Sequence, residues 1–244
     1  MKCTNPFFPR GFTLLETVIA IGVLSVLLTG FLVVFTPAAD GIRRSINSQQ
    51  ADRLTSTLER ELVTIREADK SISSQGSSEL LGFGKAFDWI KKSDQPSDAI
   101  LIYQYRGSTL KLRGDGTSEP VASVVDKVAG KDFTIVSMAR RQDDGEFSKD
   151  LAAVEGPVYL VKCNQLIFDD NELNPGEPGQ INDPNKRGAA ANSATEYPEA
   201  VIVFTADFYL MPSKDLGYFS GSVFNTKFEN LKNPVFSRNL AIRR

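Results

Sequence analysis

Glu16 is the residue with the strongest claim to chemistry in this chain, because of where it stands. It is the one charged residue between Arg10 and Asp40. A carboxylate carried into hydrocarbon costs at least ~2.5 kcal/mol on insertion scales, so an ionisable residue in such a run is a functional hypothesis by default. The chemistry it suggests is pairing. An opposite charge brought close offsets the desolvation of both groups.

Other reactive groups are scarce. The chain has no histidine, which removes the commonest general base, the commonest metal ligand and every Ser-His or Cys-His arrangement. Its two cysteines are Cys3 and Cys163. Cys163 follows an apolar run and reads as a buried, inert thiol, so no enzyme is expected. A second concentration of ligand atoms lies at Asp169-Asp170-Asn171-Glu172, Asn174, Asn182-Asp183 and Asn185. Oxygen donors at this density could hold calcium, with Asp169, Asp170, Asn171 and Asp183 as candidates, but the spacing matches no EF-hand loop. A solvated insertion over 169–198 is the expected form, with no bound cofactor. Asp143-Asp144-Gly145-Glu146 and Asp115-Gly116 read as turns. No spacing nominates a catalytic carboxylate pair.

The formal charge is −2, from 28 basic and 30 acidic residues. Arg140-Arg141, Lys91-Lys92 and Arg243-Arg244 are isolated pairs, expected on a solvated surface. No basic stripe is present, and no nucleic-acid partner is expected.

The element that positions Glu16 is a membrane-length helix. Thr13 to Phe35 would extend roughly 35 Å at ~1.5 Å per residue, enough for a hydrocarbon core of ~30 Å. A secretory signal has a shorter apolar region, a plain anchor leaves Glu16 unexplained, and a buried core helix explains neither the length nor Lys2 and Arg10 upstream. Helical spacing then continues through Ile42, Ile46, Leu54, Leu58, Leu62 and Ile65. One helix from Phe12 to about Asp69 is expected, apolar over 12–35 and amphipathic over 36–70, bent near Pro37. Ser71 to Ser78 reads as the loop that ends it.

After this loop the pattern changes to that of strands. Ala99 to Tyr105 is apolar on both faces, Arg106-Gly107-Ser108-Thr109 can turn it into Leu110 to Arg113, and 132–138, 157–161 and 164–168 are further candidates. Ala200 to Leu210 alternates best, with Ile202, Phe204, Ala206, Phe208 and Leu210 on one face. The fold class expected is α+β: a long N-terminal helix whose apolar stripe is covered by one face of an antiparallel sheet.

The short basic leader, Gly11-Phe12-Thr13-Leu14-Leu15-Glu16 and the apolar stretch after it resemble the N-terminus of type IV prepilins and type II secretion pseudopilins. The resemblance implies a pilin-like fold and a leader, residues 1–11, cut after Gly11 by a prepilin peptidase. It implies N-methylation of Phe12, and a Glu16 that pairs with the N-terminal amine of a neighbouring subunit. It also implies storage in the bacterial inner membrane as a single-pass protein, with residues 71–244 in the periplasm, and assembly by an inner-membrane platform into a filament. Some pseudopilins use calcium to order a C-terminal loop. A mature length of 233 residues (244 − 11) favours a minor subunit of a secretion pseudopilus or a pilus. Two other readings stay open. One is a signal-anchored envelope protein whose β domain binds a ligand; the other is a DNA-binding minor pilin.

Overall fold

The computed structural model describes residues 13–66, 81–169, 172–186 and 188–244, with the side chains of 34–48, 81 and 169 left aside. The chain divides into two compact units, Met1–Gln50 and Ala51–Arg244.

Helix α1 runs Leu14–Val63 and is unbroken at Pro37. Its segment Leu14–Val33 is long and apolar enough to cross a membrane. Its side chains are exposed, Leu14, Leu24, Val26 and Leu27 among them. Such a surface needs lipid or other helices around it. Its hydroxyls are satisfied within the helix: Thr17 donates to the Leu14 carbonyl, Ser25 to Ile21 and Thr29 to Ser25, each at 2.8 Å. No polar group of these side chains is then left to hydrocarbon.

At the other end α1 stops at Val63, short of the expected Asp69. The chain turns there because its exposed carbonyls and carboxylate find partners outside the helix. Lys85 Nζ donates to the Thr64 carbonyl (2.7 Å), and Arg66 folds back onto Glu61. The expected loop 71–78 lies outside the described residues.

The second unit is built on a seven-stranded sheet: β1 (Ile100–Leu112), β2 (Ser118–Pro120), β3 (Phe133–Arg141), β4 (Val154–Asp169), β5 (Glu172–Pro175), β6 (Val201–Leu210) and β7 (Phe236–Arg243). The path is β2-β1-β4-β6-β7, with β3 paired to β1 and β5 to β4. All pairings are antiparallel. On one face Leu54, Leu58 and Leu62 of α1 pack with Phe83, Phe87 and Ile90 of α2 (Leu81–Lys92) against Ile100, Ile102, Val161, Cys163, Ile202, Phe204 and Phe208. Burying each such side chain is worth about 1.5–3 kcal/mol. The long helix is thus packed on a multi-stranded antiparallel sheet, a pilin-like α+β architecture.

The opposite face is covered too. Phe147 and Leu151 of α3 (Gly145–Leu151), Phe219 of α4 (Leu216–Phe219) and Phe224 and Phe228 of α5 (Ser222–Glu229) pack over Leu101, Tyr103, Tyr105, Val158 and Leu160. That explains why β1 is apolar on both sides.

Three expectations are corrected. Residues 106–109 do not turn: β1 runs through them, pairing Arg106 with Ile135 and Ser108 with Phe133. Candidates 157–161 and 164–168 are one strand, β4, carrying a left-handed glycine, Gly156 (φ 74), beside Pro157. There the register against β1 shifts, as a bulge requires when proline has no N–H to donate. The segment 169–198 is not solvated throughout, although most of its described residues are exposed. Ile181, Ala191 and Tyr197 are buried in the core beneath α2, and Gln165 of β4 holds the backbone of Asn182 at both its N–H (2.6 Å) and its carbonyl (3.0 Å).

Gly107 is required for close approach. A Cβ there would stand 2.7 Å from Ser118 Cβ and 2.8 Å from Val136 Cγ2. Gly107→Ala is expected to lower stability by about 1–3 kcal/mol, as forced overpacking does. Gly84→Ala, in α2 with open space around it, should be neutral or slightly stabilising. Thermal unfolding of the two variants measures the contrast.

Candidate functional site

Glu16 lies in the first turn of α1, where a negative charge meets the positive end of the helix dipole. Thr13 immediately precedes the helix and serves as its N-cap. The Glu16 backbone N–H donates to Thr13 Oγ1 (3.2 Å), and the Glu16 carboxylate accepts from the Thr13 N–H (2.9 Å) and hydroxyl (3.0 Å). This is a reciprocal capping box, T-x-x-E, in which two otherwise orphaned backbone donors are satisfied. The carboxylate is therefore at the margin of the apolar run, and its own helix supplies partners for it. Thr13 is a capping partner of Glu16 that charge counting passes over. The signal was present in the sequence as the threonine three positions before the glutamate.

Gly11 and Phe12 lie outside the described residues. So do Asp170 and Asn171, and the side chain of Asp169. Asp183 is buried and occupied: its carboxylate accepts the Asn185 N–H (2.9 Å) and faces Lys186 at 3.5 Å. That arrangement caps a turn. Among the described residues no group of three or more His, Cys, Asp or Glu side chains is disposed to hold a metal ion. Cys163 is buried, and burial pushes its thiol well above the ordinary range, the state of an unreactive sulfur.

A second polar constellation is buried beside the C-terminal end of α1. Arg140, only 2% exposed, directs Nε at Asp150 (3.0 Å), Nη1 at Asp144 (2.8 Å), and Nη2 at Asp115 (2.9 Å) and the Thr117 hydroxyl (3.1 Å). Asp150, fully buried, also accepts from the Tyr103 hydroxyl (2.6 Å) and from Arg113. Next to this knot, Glu61 of α1 pairs with Arg66 (2.5 Å) and with the buried Lys85 (3.0 Å). A cavity of about 60 Å³ opens between Glu61, Arg66, Lys85, Asp115 and Arg140. The expected solvated pair Arg140-Arg141 is thus corrected: Arg140 is buried, and Arg141 is spent on Asp88, Asp98 and Asp143. Every charge in this constellation faces an opposite one, so it ties α1 to α2, β3 and α3 and offers no unengaged acid or base. Asp144 additionally caps α3 by accepting the Glu146 N–H (2.9 Å).

Residues 9–32 match the family described as the prokaryotic N-terminal methylation motif. The matched stretch contains Gly11, Phe12, Thr13 and Glu16, and it ends one residue before the apolar segment of α1 does. No curated protein and no solved structure matches the chain.

Proposed function

We propose that this chain is a minor pilin-like subunit of a type IV pilus or a type II secretion pseudopilus. It is made as a precursor in the bacterial inner membrane, with the β domain on the periplasmic side. A prepilin peptidase removes residues 1–11, Phe12 becomes the methylated N-terminus, and an inner-membrane platform moves the subunit into a filament with other pilin-like proteins. Its work is structural and it carries no catalytic residue.

The observation that carries this reading is Glu16, the sole charge of an apolar helical segment long enough to span, set inside the matched methylation motif. An anchor needs no charge, whereas an assembly helix that must choose a register does. When the new amine at Phe12 appears on a neighbour, it competes with the Thr13 cap for the Glu16 carboxylate. A cation that shares the low-dielectric core is the stronger partner. The DNA-binding alternative loses ground, since Arg140 and Arg141 are turned onto carboxylates.

Intact-mass and N-terminal sequencing of the mature protein tests the reading. The expected product begins at methylated Phe12. A mature protein that retains residues 1–11, or that begins beyond the apolar segment Leu14–Val33, overturns it.

A further inference from the structure

We propose that β7, the open edge of the sheet, receives an extended acidic segment of a partner protein as an added strand. The inference concerns the unit Ala51–Arg244 by itself and stands apart from filament assembly. An edge strand presents a row of unpaired N–H and C=O groups, a template on which another chain can pair. Main-chain bonds then supply the affinity, and alternate side chains select the partner.

Register fixes which backbone groups of β7 face outward. The Arg244 N–H donates to the Ala200 carbonyl (2.7 Å), and the pairs run from Val201 with Arg243 to Phe208 with Phe236. Antiparallel pairs alternate between bonded and non-bonded, so Ile242, Leu240 and Arg238 direct their backbone groups to β6. Ser237, Asn239, Ala241 and Arg243 direct theirs away from the sheet. Among the described residues no hydrogen bond reaches those outward groups. The side chains of the same four residues are exposed, whereas Leu240 and Ile242 are buried. The strand has 8 residues, with neither proline nor glycine to interrupt a pairing.

The opposite edge is guarded. In β3 the outward carbonyls of Phe133 and Ser137 are taken by the Gly130 N–H (2.8 Å) and by Arg60 Nη2 (3.1 Å). Charge identifies the occupant of β7. Residues 230–244 carry Lys232, Arg238, Arg243 and Arg244 and no acid. At one end of the strand Ser237 donates to Asp207 of β6 (2.5 Å), and Arg238 meets Asp52 at 3.3 Å. Toward the C-terminal end the positive charge is not offset. Arg244 is held by the carbonyls of Ala194 (2.9 Å) and Tyr197 (2.8 Å), and among the described residues Arg243 makes no ion pair. A second copy's β7 would add like charge to like. A strand that sets carboxylates opposite Arg243 gains a cross-strand ion pair instead.

The test uses the full chain in non-ionic detergent and, as the probe, a fluorescein-labelled peptide of the length of β7 that alternates valine and glutamate. Its valines can continue the row of Leu240 and Ile242 while its glutamates meet the row that ends at Arg243. Saturable binding by fluorescence anisotropy is expected. A valine–lysine peptide should bind about tenfold more weakly or worse, since a like charge replaces an opposite one across the pair. Arg243→Glu should reverse that preference. Ala241→Pro removes an outward N–H that β6 does not use, so it should abolish binding with the thermal midpoint unmoved. Absence of saturable binding, equal binding of the two peptides, an unchanged preference in Arg243→Glu, or binding that survives Ala241→Pro overturns the proposal. Self-association of the chain that Ala241→Pro abolishes, without peptide binding, also overturns it and gives the edge to a second copy.

Discussion

Arg140→Ala is expected to destabilise the β domain by about 3–5 kcal/mol, the usual consequence of removing one partner from a buried ion pair. The geometry supports the upper part of that range. One guanidinium answers Asp115, Asp144 and Asp150, and Asp150 is fully buried. Without Arg140 that carboxylate keeps Arg113 and the Tyr103 hydroxyl but loses a charge-assisted bond at 3.0 Å. Arg140→Lys restores the charge without the fork, and should recover only part of the loss, because a point donor cannot serve three carboxylates at once. Urea unfolding of detergent-solubilised protein at pH 7 measures both variants.

The same contact sets an acid limb. Burial works against the Asp115 charge, but hydrogen bonds from Thr117 and Arg140 outweigh it and bring its pKa from the ordinary 3.8 down to about 2. The folded value lies below the unfolded one, so the stabilisation is complete above pH ~4 and is lost as pH falls through ~2. The stability gap between wild type and Arg140→Ala should therefore be widest near neutrality and narrow between pH ~4 and ~2. A gap that is constant with pH would remove Asp115 from the account.

Glu16→Ala is expected to leave the protein made, inserted and cut after Gly11, yet nearly absent from filaments. If assembly rests on a desolvated pair between Glu16 and the Phe12 amine, breaking it costs about 3 kcal/mol or more per contact. That corresponds to roughly 100-fold in the equilibrium for each addition, since ~1.4 kcal/mol is tenfold. Thr13→Val separates the two roles of the carboxylate. It removes the hydroxyl that caps α1 but keeps the Glu16 charge, so it should loosen the first turn by about 1 kcal/mol and spare most of the assembly. Shearing and quantifying filaments from cells that express each variant gives the comparison. Equal loss in the two would make Glu16 a helix cap with no role between subunits.

The parts of this architecture with a strong local period were legible. Leu54, Leu58 and Leu62 lie on one helical face, and Ile202, Phe204, Ala206 and Phe208 on one strand face; each set is buried where its spacing places it. Weak or interrupted periods misled. The Arg-Gly-Ser-Thr stretch of β1 has turn composition, yet it stays extended because β3 offers it a full set of partners. Strand β7 alternates, but its sequence Phe-Ser-Arg-Asn-Leu-Ala-Ile-Arg carries only modest apolar weight, and β6 supplies the missing reason for it to pair. Helices α3 and α4 are too short to display a period, and they exist because the second face of the sheet needs a cover. The 169–198 segment reads as loop by composition, while three scattered apolar residues in it complete the core.

What depends on neighbours along the chain was legible in the order of residues alone. That order placed a membrane-length helix at the N-terminus, its lone carboxylate and the methylation motif around it, and it required a sheet to cover the helix stripe. The helix, the misplaced charge and the sheet follow from hydropathy, from the cost of a charge in hydrocarbon, and from helical and strand periods, all local quantities; the motif rests on resemblance. Which charges are buried emerged with the folded chain. Asp115, Asp144 and Asp150 come from separate turns and a helix, and they become one site because the folding of β1, β3 and α3 brings them around a single guanidinium. An ion pair formed across 25 residues of chain leaves no periodic trace, since its energy depends on a desolvated geometry that exists only after the core has closed.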